Sequence, residues 1–297
     1  KFSFSQKKII ITPTNSNKET ISYNLTELKK KFPELMITNF EINYNEAFLL
    51  FYNQGVIVYE DYYPKKAILY FKEALRYNNT DNSVLNKLGN SYGDLKMYNK
   101  AIDSYKKMLE IDEYDITALT NIGVEYVNLN NYDKAIEYYL KAYKIDNTDE
   151  RTLSGLGNSY AHKRTEKDYI KAIYYYKKVL EIEENLHVVW NNLGTIYTLR
   201  EKPDKKRALE CYNKSLEIEP FFPEALLNKA DYYYQKKEYK KALENINKSI
   251  SVRPTYINAW SLKAQIYSAI KDYENTIITL KKIIKLTPKD VITRIEL

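Results

Sequence analysis

Gly55, Gly89, Gly123 and Gly157 stand 34 residues apart, and the series continues through Gly194, Ala230 and Ala264 at steps of 37, 36 and 34. Five of the seven glycines fall in it, so glycine here serves a repeat rather than scattered turns. A second small-residue series, Ala67, Ala101, Ala135, Ala172, Ala208 and Ala242, closed by Thr276, keeps step with the first. A fixed period of this size means one supersecondary unit copied along the chain, each copy burying its apolar face on a neighbour.

The residues around each slot set the unit's shape. Four before it stands Phe51, Leu85, Leu119, Leu153, Trp190, Leu226 or Trp260; three after it stands Tyr92, Tyr126, Tyr160, Tyr197, Tyr233 or Tyr267, with Val58 in the first unit. Four after each member of the alanine series comes Phe71, Tyr105, Tyr139, Tyr176, Tyr212, Ile246 or Leu280. Apolar spacings of three and four predict two amphipathic helices per unit, of about a dozen residues each, joined by polar turns such as LKMYNK and QKKEYK. The small residue lets the two helices approach, and the rings fill the space around the contact. Pro220, Pro254 and Pro288 end three of the units, because proline cannot continue a helix.

WNNLGTIY followed by ALECYNKSLEIEP resembles the tetratricopeptide repeat, whose pattern is W-x2-L-G-x2-Y, then A-x3-F, then P. The resemblance implies an all-α, right-handed superhelical solenoid in which the first helix of each pair lines a concave channel. It covers residues 46–289 as seven repeats, at about 46–81, 82–115, 116–149, 150–186, 187–222, 223–256 and 257–289. The first unit lacks the Tyr and the Pro, and the last two carry Ala in the Gly slot. Units four and five hold extra residues, HKRTEKD at 162–168 and LREKPDKKR at 199–207, read as longer turns. The second nets three positive charges and offers a dock for an acidic partner as readily as a tolerated insertion.

Residues 1–22 read as an extended N-terminal arm, docked on the stack or donated as a strand to a partner. Residues 23–45 read as a capping helix, with Asn24 as N-cap, Glu27 completing a capping box, and Leu25, Leu28, Phe32 and Leu35 on one face. Residues 290–297 begin a C-terminal helix or cap, so the natural chain continues or another subunit covers that end.

Helical geometry turns the positions two before and one after the small slot away from the helix-pair contact and toward the channel. Asn53, Asn121, Asn192 and Asn228 occupy the first place; Asn90 and Asn158 occupy the second in two units that lack Asn at the first. An amide carries both donor and acceptor, so such a row can satisfy the main chain of an extended peptide without reading its sequence. The row is similar to the asparagine ladders of O-linked N-acetylglucosamine transferase and kinesin light chain. Asn86, Lys87, Arg151 and Asn191 join the candidate peptide-binding set, with Tyr52, Glu224, Asp231 and Tyr234 as further channel positions. The row predicts that replacing Asn121, Asn158 and Asn192 by Ala abolishes partner capture with melting nearly unchanged. The carboxylate clamp of co-chaperone repeats finds Asn86, Asn90, Asn121, Arg151 and Gly155 at its places, keeping three of five residues and losing two of its three cations.

Catalysis finds no footing. GLGNSY at 155–160 opens like a dinucleotide fingerprint but lacks the third Gly and lies within a repeat helix. There is no HExxH, CxxC, GxSxG or phosphate loop, and His162 and His187 offer little for zinc. No enzyme activity, cofactor or metal is expected. The net charge of +7 is spread as Lys pairs beside acids on outer faces, not as a basic stripe, so nucleic acid is not the expected partner. No segment is long and apolar enough to insert in a membrane. Cys211 alone allows no internal disulfide, in keeping with a cytoplasmic setting, although with Lys1 as the first residue a native start upstream is expected, which leaves the compartment open. The leading expectation is a non-catalytic scaffold or adaptor holding an extended segment of another protein. The alternatives are a targeting domain of a larger, transferase-like enzyme and a structural subunit that self-associates through the solenoid ends.

Overall fold

The computed structural model describes residues 8–12, 21–24, 30–31 and 41–287. Seven helix pairs follow the repeat: α1 (Tyr44–Glu60) with α2 (Pro64–Ala74), α3 (Asn82–Asp94) with α4 (Tyr98–Ile111), α5 (Ile116–Asn128) with α6 (Tyr132–Ile145), α7 (Glu150–Lys163) with α8 (Glu166–Ile182), α9 (His187–Leu199) with α10 (Lys205–Ile218), α11 (Pro223–Gln235) with α12 (Tyr239–Val252), and α13 (Ile257–Ala269) with α14 (Tyr273–Leu286). The fold is an all-α repeat solenoid, to which the N-terminal segment adds a small sheet. It divides into two compact units, residues 1–147 with α1 to α6 and residues 148–297 with α7 to α14. In the first, α2 packs on α3 and α4 on α5; in the second, α8 packs on α9, α10 on α11 and α12 on α13.

Local signals start the helices. The carboxylates of Asp81, Asp115 and Asp149 accept from the amides of Val84, Ala118 and Thr152 at 3.0, 2.9 and 2.7 Å, satisfying donors that the first turn leaves open. From the fifth repeat onward the same place holds Leu186, Phe222 and Tyr256, which give no side-chain cap, and Pro223 presets the first-turn φ of α11 instead. The turns inside six pairs pass through the left-handed region at Tyr62, Lys96, Asn130, Arg164, Lys237 and Lys271, with φ between 57° and 64°.

The small slot has a more specific job than close approach of backbones. A Cβ built on Gly55, Gly123, Gly157 or Gly194 would lie 2.6–2.7 Å from a ring carbon of Phe71, Tyr139, Tyr176 or Tyr212, and one on Gly89 would collide with Tyr105. Where the slot is Ala230 or Ala264, the facing residue is Ile246 or Leu280. Glycine therefore goes with a ring and alanine with a branched aliphatic chain. In five repeats the cation one residue before the second-series alanine covers the tyrosine of the first helix: Lys100 over Tyr92, Lys134 over Tyr126, Lys171 over Tyr160, Arg207 over Tyr197 and Lys241 over Tyr233, at 4.7–5.9 Å from the ring centre. Each contact is worth about 0.5–1 kcal/mol at such exposed sites.

The extra residues of the fourth repeat do not form a longer turn as expected. They extend α8 to 17 residues, against 14 for α4, α6, α10, α12 and α14, so the insertion is one more helical turn. The insertion in the fifth repeat is a true loop between α9 and α10. Arg200 anchors it by donating to Glu166 at 2.7 Å, and that guanidinium holds the Glu166 carboxyl below its ordinary range.

At the N-terminus, β1 (Lys8–Thr12) pairs antiparallel with β2 (Ile21–Asn24) and parallel with β3 (Glu41–Asn43), which runs straight into α1. The segment read as an arm thus supplies a strand to its own chain. The capping helix expected over 23–45 is not what the described residues form at its ends: 23–24, with the expected N-cap Asn24, belong to β2, 41–43 to β3 and 44–45 to α1; residues 30 and 31 are helical, while 25–29 and 32–40 lie outside the described residues, as do 290–297. Lys31 reaches Glu73 of α2 at 3.1 Å, where Arg76 also meets that 3% exposed residue at 2.8 Å. At the other end, α14 leaves Ile277, Ile278, Leu280 and Ile284 about half exposed.

Candidate functional site

The asparagines of the first helices split into two jobs according to register. Those one residue after the small slot accept from the phenol of their own pair's second helix: Tyr105 donates to Asn90 at 2.8 Å and Tyr176 to Asn158 at 2.7 Å. Those two before it donate backward to the preceding repeat. Asn121 reaches Asn86 at 2.9 Å; Asn192 reaches Asn158 at 3.4 Å; Asn228 reaches Asn191 at 2.9 Å and the Thr195 hydroxyl at 3.3 Å.

Burial separates these residues further. Asn121 and Asn191 are buried, at 8% and 6% exposure, so they lie beneath the surface a ligand would meet. Asn86, Asn90, Asn158, Asn192 and Asn228 are half-buried, and Asn53 and Arg151 are exposed. In the first unit Lys87 lies over the ring of Tyr59 at 5.4 Å. Burial and a hydrogen bond to Asp94 push the Tyr59 phenol up to about 12. Of the further channel positions, Glu224 is held by Arg253 at 2.6 Å and Asp231 by Gln235 at 2.6 Å.

The second unit carries the best-formed constellation. Asn158, Tyr176 and Asn192 form a junction with a pocket on either side. One, of about 210 Å³, is completed by Ala161, His162, Arg164, Thr195, Ile196 and Leu199. The other, of about 230 Å³, is completed by Glu150, Ser154, Leu186, His187, Val188 and Val189. Burial holds the Tyr176 phenol well above its ordinary range, so it remains a neutral donor to Asn158. The tyrosines were legible in the sequence only as packing rings. The overlooked signal is that asparagine follows the small slot in two units that place tyrosine, not phenylalanine, opposite it.

With this geometry in view, the comparisons agree on the class of protein. Residues 83–115 and 116–149 match the tetratricopeptide repeat family, and residues 201–283 match the family described as anaphase-promoting complex, cyclosome, subunit 3. The chain is a tetratricopeptide repeat protein. No curated protein matches it.

Three similar solved structures show the fold. A tetratricopeptide repeat protein of Parabacteroides merdae has 18% identity and a TM-score of 0.67, over 84% of this chain and 97% of that one. The pilF protein of Pseudomonas aeruginosa has 22% identity and a TM-score of 0.61, over 70% and 92%. YrrB, described as having an unusual peptide-binding site, has 23% identity and a TM-score of 0.51, over 65% and 97%. Among the described residues no helix is long and apolar enough to cross a membrane.

Proposed function

We propose that the chain is a non-catalytic protein-interaction scaffold that holds an extended segment of a partner protein on the first-helix face of its repeats. The observation that carries this reading is the Asn158–Tyr176–Asn192 junction with a pocket on each side. An extended strand sends alternate side chains to the same side about 7 Å apart. Two successive same-side residues then enter the two pockets, and the peptide group between them meets the amides. A peptide-binding site in the similar YrrB supports the class of ligand.

Magnitudes assign the roles. Hydrogen bonds contribute about 1 kcal/mol net each, against an association cost of about 4–15 kcal/mol. The amides therefore set register and direction, while the pockets supply most of the affinity. The test is selection of binders from a random-peptide display library on the intact chain, followed by titration of the winners against Asn192→Ala and against Val188→Trp, which blocks one pocket from an exposed position. At least about tenfold weaker binding to both is expected. Undiminished binding to both removes this face from the function.

Self-association is the second reading, favoured by the exposed aliphatic side chains of α14. Beside them Tyr234, Ala264, Ala269, Leu280 and Ile283 line a cavity of about 530 Å³. Sedimentation of wild type against Ile278→Lys/Ile284→Lys tests it: a concentration-dependent mass lost in the variant supports self-association, and a monomer in both excludes it.

A further inference from the structure

A further cavity lies away from the candidate asparagines of the first helices. It is a trough of about 720 Å³ between α8 and α10, floored by Trp190, Leu193 and Tyr197 of α9, the stripe opposite Asn192 and Thr195. Its origin can be read from the repeat. The position three after the second-series small residue is Tyr70, Tyr138 or Tyr175 in three other units and Ser104, Asn245 or Thr279 in the remaining three; Cys211 here leaves this wall without the ring that the preceding repeat carries at Tyr175. A second cavity of about 390 Å³ shares Glu184, Trp190, Lys214 and Glu217 with the first and prolongs it past Asn185 and Ile218.

The rim is sorted by charge. Counted along equivalent positions from Ala172 and Ala208, the early half carries Arg207, Lys177 and Lys214 with one acid, Glu210. The late half carries Glu181, Glu217 and Glu184 and no base. On the α10 wall the carboxamide oxygen of Asn213 is buried without a hydrogen-bond partner among the described residues. Between Arg207 and Glu217 the wall rises about 15 Å, the length of nearly three helical turns.

We propose that this trough is a second docking site, independent of the asparagine face, and that it seats an amphipathic helix of a partner protein. Large aliphatic anchors at helical spacing fill the floor over Trp190 and Cys211. The partner's acidic residues lie over Arg207 and Lys177, and its basic residues over Glu181 and Glu184, while Lys214 and Glu217 pair with each other at 3.3 Å between the two halves. A helix with acids in its first half and bases in its last, the arrangement that its own dipole favours, therefore lies parallel to α8 and α10. A uniformly acidic or basic helix meets repulsion at one end.

Two synthetic 14-residue peptides test this, sharing one leucine stripe and one composition. The first has acids in one half and bases in the other; the second has the charges interleaved. Both are titrated against the full chain carrying Trp260→Phe, so that Trp190 is the sole indole reporter. The segregated peptide is expected to bind at least about tenfold more tightly than the interleaved one. Cys211→Tyr places there the ring that three other repeats carry; with its helix content checked against wild type by circular dichroism, it is expected to weaken binding by a similar factor. The Asn192→Ala variant should bind as wild type does. No binding of the segregated peptide, equal affinity for the two peptides, or unchanged affinity in Cys211→Tyr overturns the proposal. A self-associated state that Cys211→Tyr disperses also overturns it, giving the trough to a second copy of the chain.

Discussion

Gly157→Ala tests the packing rule most directly, because the side chain opposite is buried and tied by its hydroxyl. The added Cβ would stand 2.6, 2.7 and 3.2 Å from three carbons of the Tyr176 ring. That ring is 2% exposed, and its hydroxyl is tied to Asn158 at 2.7 Å. Overpacking a fixed core costs about 1–3 kcal/mol. Replacing glycine by alanine inside a helix returns about 0.5–1 kcal/mol. With three ring atoms in the way the cost sits in the upper half of its range, for a net destabilisation of about 1–2 kcal/mol.

The discriminating measurement is a cycle with Tyr176→Leu, which reproduces the pairing of Ala264 with Leu280. In that background Gly157→Ala should stabilise by a few tenths of a kcal/mol to about 1 kcal/mol, giving a coupling of about 2 kcal/mol. Urea midpoints read the result, checked by amide exchange in α7 and α8 because repeat arrays need not melt in two states. A Gly157→Ala change that stabilises the wild type, or costs the same in both backgrounds, refutes the rule. Gly93→Ala is the contrast. Its Cβ would meet only the tip of the Glu125 carboxylate at 2.8 Å, which can shift.

Lys96→Gly should stabilise the first unit by up to about 1 kcal/mol in thermal melts, since Lys96 is held at a φ of 58° that glycine adopts without strain. Burial raises the Glu125 carboxyl, with a smaller push from Asp94 and an opposing bond from Asn128. The folded state therefore binds the proton more tightly than the unfolded one, and the stability this gives is present below the unfolded value and lost as pH rises through the folded value. Glu125→Gln should accordingly gain stability at pH 7 and little at pH 4; identical pH profiles for the two proteins would rule out the assignment. Burial pushes the Cys211 thiol up to about 12, so its alkylation at pH 8 should run at least about tenfold slower in the folded chain than in urea. Asn121→Ala strands Asn86 and should cost about 1–2 kcal/mol of melting stability, against the expectation from sequence that the amides can be removed without thermal effect.

The repeat was legible because its signal is steric. A ring, a small residue four positions from a large one and a breaker recur with the period, and any copy that lost them would fail to stack. The helix starts at Asp81, Asp115 and Asp149 were equally present in the sequence but follow the slot by a fixed offset that a search for apolar positions does not test. HKRTEKD does hold the start signal for one more turn of α8, Thr165 with Asp168 three residues on, but a reading built on apolar spacing passes over it; Thr165 caps the helix early by accepting from the Asp168 amide. Other features depend on three dimensions. The sequence does not show that Asn121, two before its slot, donates to the preceding repeat and is buried there. A position two before the slot points to the channel in an isolated helix, but the adjacent first helix covers part of that face when the pairs stack.

That covering changes what a row of asparagines can do. Each amide has two donors and an oxygen with two lone pairs. In the second unit one donor of Asn192 points at Asn158, whose oxygen also accepts from Tyr176. The orientation of the carboxamide is thereby set before any ligand arrives, and the unused donor and lone pair have fixed directions. Ordering a free side chain on binding costs about 0.5–1.5 kcal/mol, comparable with the hydrogen bond it would make. A lone asparagine on a helix surface would thus contribute almost nothing to holding a peptide main chain. Amides already tied to each other avoid most of that cost, so the contacts that join one repeat to the next are also what makes the exposed part of each amide useful to a partner.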